Sequence, residues 1–507
     1  MGLKTGKAYI ESLRDDRDLY VNGERVGDVT KHAPYSGILD ELAAHFDRFH
    51  DPEIQSRMTF PSPKDGAPVS NSFLFANTWD KMLQRIDGES LRKELTYGMM
   101  GRLPDFMNAF VTDVASIPHV LGHKDKSLAD NAIRYWEYCR DEDICLTHTL
   151  VDPKRDYSKG LESQRALKFI KETDAGIIVS GARMLSTLAP VSEEIWVGPY
   201  IPRQEDEEDY ALSFAVPVAT PGLSFVAREP YSSGRSRYDR PLSERFDEGD
   251  ALALFDNVLV PWDRVFVFRD VPVYNTMGPR FPGYLTLQAV IRGRAKLRFM
   301  IGLASKMLEV LGRDQQLHFR SMLGEMLACD ELADGLITAS GREVLSNVEY
   351  EAARAENPQK DVKDDLKEMA ALFTEPDRGM VAMSALRFFI PFVNKKAAEI
   401  VRLAGSSSLV MTPTEADFDN PKTGPMLEEY IAGAGVSAKE RVQVMKLAWD
   451  AVATQFGGRQ DTYETFFGGD PEIGRQLYYM TPKRQQYMDM IDRLMAESTA
   501  ADAAGKS

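Results

Sequence analysis

Three short stretches of the chain carry residue types able to do chemistry. Residues 98–108 read Gly-Met-Met-Gly-Arg-Leu-Pro-Asp-Phe-Met-Asn. The two glycines allow close backbone approach, and Arg102 puts a permanent cation just before Pro104. Phe106, four residues after the arginine, falls on the same face of a helix begun there. A helix start with a surface arginine accounts for the pattern equally well. His148 stands among apolar and hydroxyl neighbours in Leu146-Thr147-His148-Thr149-Leu150. A lone histidine in such company is most often a satisfied core group, with acid–base work as the alternative. Residues 449–470 contain Phe456-Gly457-Gly458-Arg459 and continue through Tyr463 to Phe466-Phe467-Gly468-Gly469-Asp470. Paired glycines before an arginine offer backbone N–H donors plus a cation, which suits a phosphate or a flavin edge; a helix-ending turn is the competing reading.

Other motifs carry less. Gly433-Ala434-Gly435-Val436-Ser437-Ala438 fits a dinucleotide fingerprint, yet it follows a helical pattern over residues 427–431 rather than a strand, so a turn between helices explains it better. His119 and His123 are spaced to share a helix face, but Gly122 lies between them and no third ligand stands at metal-site spacing. No metal site is expected.

The elements that must position these residues fall into three blocks. Residues 1–142 read as mainly helical, as in the stretch 38–50, where Ile38, Leu42, His45, Phe46 and Phe49 recur at helical spacing. Residues 143–270 change to short β-branched runs bounded by glycine and proline, the texture of a β-sandwich or barrel. Within them, residues 228–248 read as a long polar loop whose arginines form a solvated or subunit-contact surface. Residues 271–495 are helical again, with amphipathic stretches over 285–311, 322–353, 380–403 and 438–456 that predict a bundle. Residues 496–507, mostly Ala, Ser, Asp and Gly, are expected to be disordered.

Composition bounds the setting. The 507 residues carry 61 basic and 77 acidic side chains, a formal net charge of −16, with no basic patch for nucleic acid. Cys139, Cys145 and Cys329 are too few and scattered for a disulfide framework, which points to a reducing cytoplasm. No signal peptide and no apolar run near the roughly 20 residues of a membrane span are read, so no membrane partner is expected.

Seven motifs stand in order between about residues 4 and 490: residues 5–13, 98–108, Thr147-His148, Gly181-Ala182-Arg183-Met184, residues 255–266 with Val260-Pro261-Trp262-Asp263-Arg264-Val265-Phe266, Gly424-Pro425, and Phe456-Gly457-Gly458-Arg459. Together they resemble the oxygenase components of 4-hydroxyphenylacetate 3-monooxygenase and its relatives, the two-component reduced-flavin phenol hydroxylases. The block order likewise resembles the acyl-CoA dehydrogenase type of α+β fold, a middle β-domain between two helical domains.

The resemblance implies a homotetramer that takes FAD reduced by a separate flavin reductase. It implies reaction of that FAD with dioxygen to a hydroperoxide, and hydroxylation of a phenolic substrate ortho to its hydroxyl. Arg102 and His148 match the catalytic residues, and Arg102, Phe106 and His148 the substrate-binding ones. His148, Lys154, Arg155, Thr187, Phe456, Gly457, Gly458 and Arg459 match the cofactor-binding positions. The chain departs from the pattern at Phe106, where relatives carry tyrosine, and at Tyr157, where they usually carry arginine. The missing hydroxyl at 106 leaves open a halophenol, a nitrophenol, an aromatic amine or a carrier-bound or biosynthetic tyrosine derivative as substrate. A non-oxygenase flavoprotein or inactive scaffold is the alternative of another class. The radical 4-hydroxybutyryl-CoA dehydratases share the fold, but their iron–sulfur cluster needs cysteines in or near residues 102–106, which hold none.

Overall fold

The computed structural model describes residues 2–153, 156, 158–161, 165–356, 381–481 and 483–504. Its order is helical, then β, then helical. The N-terminal part is built on helices Ser36–Arg48, Trp79–Leu95, Pro104–Ala115 and Lys126–Glu142, with a small ribbon of β3 (Thr59–Pro61) and β4 (Pro68–Ser70). This part is less purely helical than the sequence suggests. β1 (Asp18–Val21) and β2 (Glu24–Val26) form a hairpin through Asn22 and Gly23, at φ +51° and +83°, the left-handed pair that an Asn-Gly turn favours. β1 then pairs in parallel with β10 (Leu223–Ala227), so the N-terminal segment extends the middle domain's sheet.

Two sheets make that domain. One runs β2-β1-β10-β11-β7-β6, where β6 is Lys168–Thr173, β7 Gly176–Thr187 and β11 Asp250–Pro261. The other runs β12-β9-β8-β5, with β5 at Leu146–Thr149, β8 at Glu194–Val197, β9 at Leu212–Pro217 and β12 at Val265–Phe268. One apolar core lies between them, Ile195, Phe214 and Val216 of the smaller sheet meeting Ile177, Val179, Phe225 and Phe255 of the larger. Its side chains come from alternate strand positions, as a half-buried pleat requires.

The C-terminal bundle packs helices Tyr284–Val310, Leu317–Ala355, Ile390–Val410, Ala438–Val452 and Gln455–Phe466 around a second core of Leu297, Met307, Val401 and Met445. The third amphipathic stretch begins as Val381–Ser384 and passes through a π-helical turn at Ala385–Phe389 before continuing. The expected tail is also helical: helix Lys483–Ala504 runs through residues read as disordered. Alanine is the best helix former, and extending an existing helix needs neither a new nucleus nor an apolar face. No helix among the described residues is long and apolar enough to cross a membrane.

The stretch 228–248 is a partial correction, since Arg235 and Arg237 are exposed as expected. Its second half is packed rather than solvated: Leu242, Ser243, Glu244 and Phe246 are buried, and Arg228 and Arg245 pair with Asp247 and Glu41. The cause is Asp450, fully buried on helix Ala438–Val452. Its Oδ2 accepts the Leu242 N–H and Ser243 N–H, each at 2.8 Å, and its Oδ1 accepts the Thr454 hydroxyl at 2.9 Å. Removing it strands buried donors on both sides of the junction between β-domain and bundle. Asp450→Ala is therefore expected to lower the unfolding free energy by about 3 kcal/mol in urea denaturation; a loss below about 1 kcal/mol would show that the junction does not depend on it.

Candidate active site

Alternation along β5 decides where His148 points. Thr147 and Thr149 turn their hydroxyls to the carbonyls of Thr187 and Met184 on β7, so His148 faces the other way, towards helix Pro104–Ala115. There its ring centroid lies 5.5 Å from that of Phe106. Pro104 starts that helix and leaves Arg102 in the turn just before it, within reach of both rings.

Arg102 is buried, at 8% exposure. Its Nε–H donates to His148 Nε2 at 2.9 Å, and Nη1 donates to the Tyr463 hydroxyl at 2.6 Å and to the Gly101 carbonyl at 3.1 Å. Its Cζ lies 4.0 Å from the centroid of Phe106 and 5.3 Å from that of Phe467. The guanidinium contacts no carboxylate among the described residues, and Nη2 makes no hydrogen bond there.

Arginine stays protonated, so its contact with His148 fixes the imidazole's state: Nε2 is the acceptor and Nδ1 carries the proton. Burial first, and the Arg102 charge second, hold the imidazole's pKa well below its ordinary value, keeping the ring neutral. His148 Nδ1 is buried and finds no hydrogen-bond partner among the described residues. The side chain read as a base or a donor is thus arranged as a donor, since its one acceptor nitrogen is already occupied.

Both glycines of the segment earn their places by contact. A Cβ on Gly101 would sit 2.6 Å from the Tyr463 hydroxyl, and one on Gly98, at φ +67°, would sit 2.6 Å from the backbone nitrogen of Lys296. The bundle supplies the remaining wall through Arg459, Tyr463 and Phe467, spaced four apart along and just beyond helix Gln455–Phe466.

The turn Glu248-Gly249-Asp250 ties these parts together. Glu248 accepts the backbone N–H of Arg102 at 2.5 Å and Arg459 Nη1 at 3.1 Å. Asp250 accepts Arg459 Nη2 at 2.9 Å, Arg228 Nε at 2.8 Å and the Thr187 hydroxyl at 2.7 Å. Burial works against the Asp250 charge, but the Arg459 and Arg228 guanidiniums hold its carboxyl well below the usual range. Beneath Tyr463, Arg292 and Lys296 converge on Glu464, with Arg292 bidentate at 2.5 and 2.9 Å and Lys296 Nζ at 3.0 Å. Burial raises the Tyr463 pKa more than the two neighbouring arginines lower it, so the phenol keeps its proton.

Arg102, Phe106, His148, Thr187 and Arg459 therefore share one network. Other expected residues lie differently. Phe456 is buried in the apolar core with Met99, Met100 and Leu103. The Gly457 N–H donates to the Thr454 side chain and the Gly458 N–H to the Thr454 carbonyl, so the paired glycines begin a helix and do not present free donors. Lys154, Arg155 and Tyr157 lie outside the described residues. Gly433 and Ala434 form the turn between two helices, donating to the Val436 and Val310 carbonyls. His119 and His123 approach different carboxylates, those of Glu351 and Asp270. All three cysteines are free and buried, and the described residues hold no cluster of metal-ligating side chains.

Comparison with known proteins follows the same outline. The family model for the 4-hydroxyphenylacetate 3-hydroxylase N terminal matches residues 5–267, and that for its C terminal matches residues 280–349 and 376–496. The 4-hydroxyphenylacetate 3-monooxygenase oxygenase component of Geobacillus sp. is 34% identical over 97% of this chain and 96% of its own. Its counterpart from Thermus thermophilus is also 34% identical, over 98% of each chain. The crystal structure of such an oxygenase component complexed with FAD and 4-hydroxyphenylacetate superposes with a TM-score of 0.85, at 34% identity, covering 98% of this chain and 99% of that one.

The floor of the site is titratable. Burial pushes the Glu464 carboxyl up, yet Arg292 and Lys296 overcome it and bring its pKa down to about 2 from an ordinary 4.5. A depressed carboxyl contributes stability that is present above its unfolded-state value and lost as pH falls towards its folded-state value. Glu464→Gln should thus cost about 3 kcal/mol at pH 7. In urea unfolding the deficit should narrow below about pH 4.5, where the wild type begins to lose the same pairing; a deficit constant from pH 7 to pH 3 would contradict the assignment.

Proposed function

The chain belongs to the 4-hydroxyphenylacetate 3-hydroxylase family, and from that premise we propose that it is the oxygenase component of a two-component monooxygenase that hydroxylates a phenol ortho to its hydroxyl. The observation that carries this reading is Arg102, a buried cation that has, among the described residues, no carboxylate partner and no hydrogen bond from Nη2. Among the described residues, the side chains that give it a polar partner are a ring nitrogen and a phenol, which leave its charge uncompensated.

An aromatic ring attacks an oxygen electrophile well only when its hydroxyl gives electron density to the ortho carbon, and the phenolate gives most. A free phenol has a pKa of about 10. Arg102 lowers the cost of ionising it, because a fixed positive charge in a desolvated site favours the anionic form. His148 adds a neutral N–H donor at Nδ1, and its partner Arg102 holds the ring in that tautomer. Phe106 and Phe467 exclude water beside the cation, which strengthens its field at a bound anion.

The donor set fits reduced FAD as the cofactor. His148 Nδ1 is an orphaned buried donor, and Thr187 and Arg459 meet at Asp250 on the adjoining wall. We assign His148, Thr187 and Arg459 to holding it, while Phe456, Gly457 and Gly458 shape the helix start that carries Arg459. When bound, reduced FAD supplies the two electrons that let one oxygen atom of O2 enter the ring while the other leaves as water. A separate flavin reductase supplies the reduced cofactor.

The assembly is a homotetramer in the cytoplasm. The support for self-association is apolar surface on the bundle: Tyr487, Ile491 and Leu494 on helix Lys483–Ala504 are all exposed.

Arg102→Gln separates substrate chemistry from oxygen consumption. With reduced FAD and a para-substituted phenol, the hydroxylated product should fall roughly a hundredfold, matching the loss of about 3 kcal/mol on removing one partner of a buried charge pair. Oxygen should still be consumed and recovered as hydrogen peroxide. Undiminished product would remove Arg102 from the reaction.

A further inference from the structure

Phe106 presents a ring to Arg102 but no oxygen, and the nearest phenolic hydroxyl comes from the opposite side of the site. Tyr463 Oη accepts from Arg102 Nη1 at 2.6 Å. That contact uses a lone pair and leaves the hydroxyl proton, for which no acceptor is found among the described residues. Partners of a guanidinium lie close to its plane, so Tyr463 Oη, the His148 imidazole and the free Nη2 are arranged around the rim of one cation.

The hydroxyl is held there from several sides. Gly101 has no side chain to displace it, Arg292 lies 4.9 Å from the Tyr463 ring, and the Phe467 ring lies 5.2 Å away. Glu464, the next residue on the helix, fixes Arg292 through its two oxygens. A purely structural tyrosine would not need its oxygen placed against a buried cation that meets no carboxylate among the described residues.

We propose that Tyr463 is a substrate-binding residue whose O–H donates to the phenol oxygen held at Arg102, supplying from helix Gln455–Phe466 the hydroxyl that Phe106 lacks. The assignment rests on the phenol-hydroxylase reading. It makes the phenol oxygen the acceptor of Arg102 Nη2 and Tyr463 Oη together, so the bound species is the phenolate, and a ligand bearing a methyl ether in place of the hydroxyl loses it.

The probe is 4-nitrophenol, whose ionised form is coloured. Absorbance titration of the probe bound to the cofactor-free protein reads its acid constant directly. Tyr463→Phe keeps the ring and removes one hydrogen bond to a charged oxygen, so the bound phenol's acid constant should weaken about tenfold. Product formed per oxygen consumed should fall in parallel. Adding Phe106→Tyr to Tyr463→Phe should restore both. An unchanged acid constant in Tyr463→Phe, or a loss that Phe106→Tyr does not recover, overturns the proposal. Should Tyr463→Phe fail to fold, Phe106→Tyr alone decides. With Tyr463 already donating, it should shift the acid constant less than about threefold, whereas a tenfold strengthening would mean that no tyrosine reaches the phenol in the wild type. A wild type that ionises the bound probe but forms no product with reduced FAD and O2 would fail the oxygenase reading and leave Tyr463 standing.

Discussion

The site depends on keeping its arginine buried without neutralising it. Removing a cation from water is costly, and most buried arginines of this chain answer with carboxylates: Arg292 with Glu464, Arg459 with Glu248 and Asp250, Arg183 with Asp152. Arg102 has no such partner among the described residues. Its compensation is a ring nitrogen, a phenol hydroxyl, a backbone carbonyl and three aromatic rings, which satisfy hydrogens and polarise towards the charge without cancelling it. A site so built favours an incoming anion.

Acidic residues stand close by, and their placement explains why they leave that charge intact. Glu248 gives one oxygen to the backbone N–H of Arg102 and the other to Arg459. It therefore positions the main chain of Arg102 while its own charge is matched elsewhere. Asp250, two residues on, joins β7 through Thr187 to the bundle through Arg459. The N-terminal, middle and C-terminal parts thus meet at a three-residue turn, and each contributes a wall: Phe106 from the first, His148 from the second, Tyr463 and Phe467 from the third.

Much of this was legible in the sequence. The block order followed from a switch between helical and strand periodicities, whereas Arg102 and His148 were marked out by the family resemblance of the Gly-Arg-x-Pro segment and the Thr-His pair, since their residue types alone fit a helix start and a core histidine as well. What escaped was set by tertiary contact. The Asn22-Gly23 turn was a local hairpin signal, but the parallel pairing of Leu19 with Phe225 joins residues some two hundred apart. The stretch 228–248 looked like a solvated or subunit-contact surface because its polar residues gave no hint that Asp450 would gather part of its backbone. Glu248 and Asp250 carried no motif. Tyr463 did have a signal, the four-residue spacing Arg459, Tyr463, Phe467, yet only the fold brings that face against Arg102. The role of His148 changed for a similar reason, since spacing cannot reveal which ring nitrogen is already occupied.

The central claim is that the site ionises a phenol at Arg102. Calorimetric binding of 4-hydroxyphenylacetate to the FAD-loaded protein at pH 7, repeated in buffers of different ionisation enthalpy, counts the protons exchanged. The phenol is almost wholly protonated in solution at that pH, and His148, already accepting from Arg102, offers no acceptor nitrogen for its proton. The account predicts release of close to one proton per phenol bound in the wild type. Binding without proton release would show that the neutral phenol is the bound form and that the uncompensated charge of Arg102 serves another purpose.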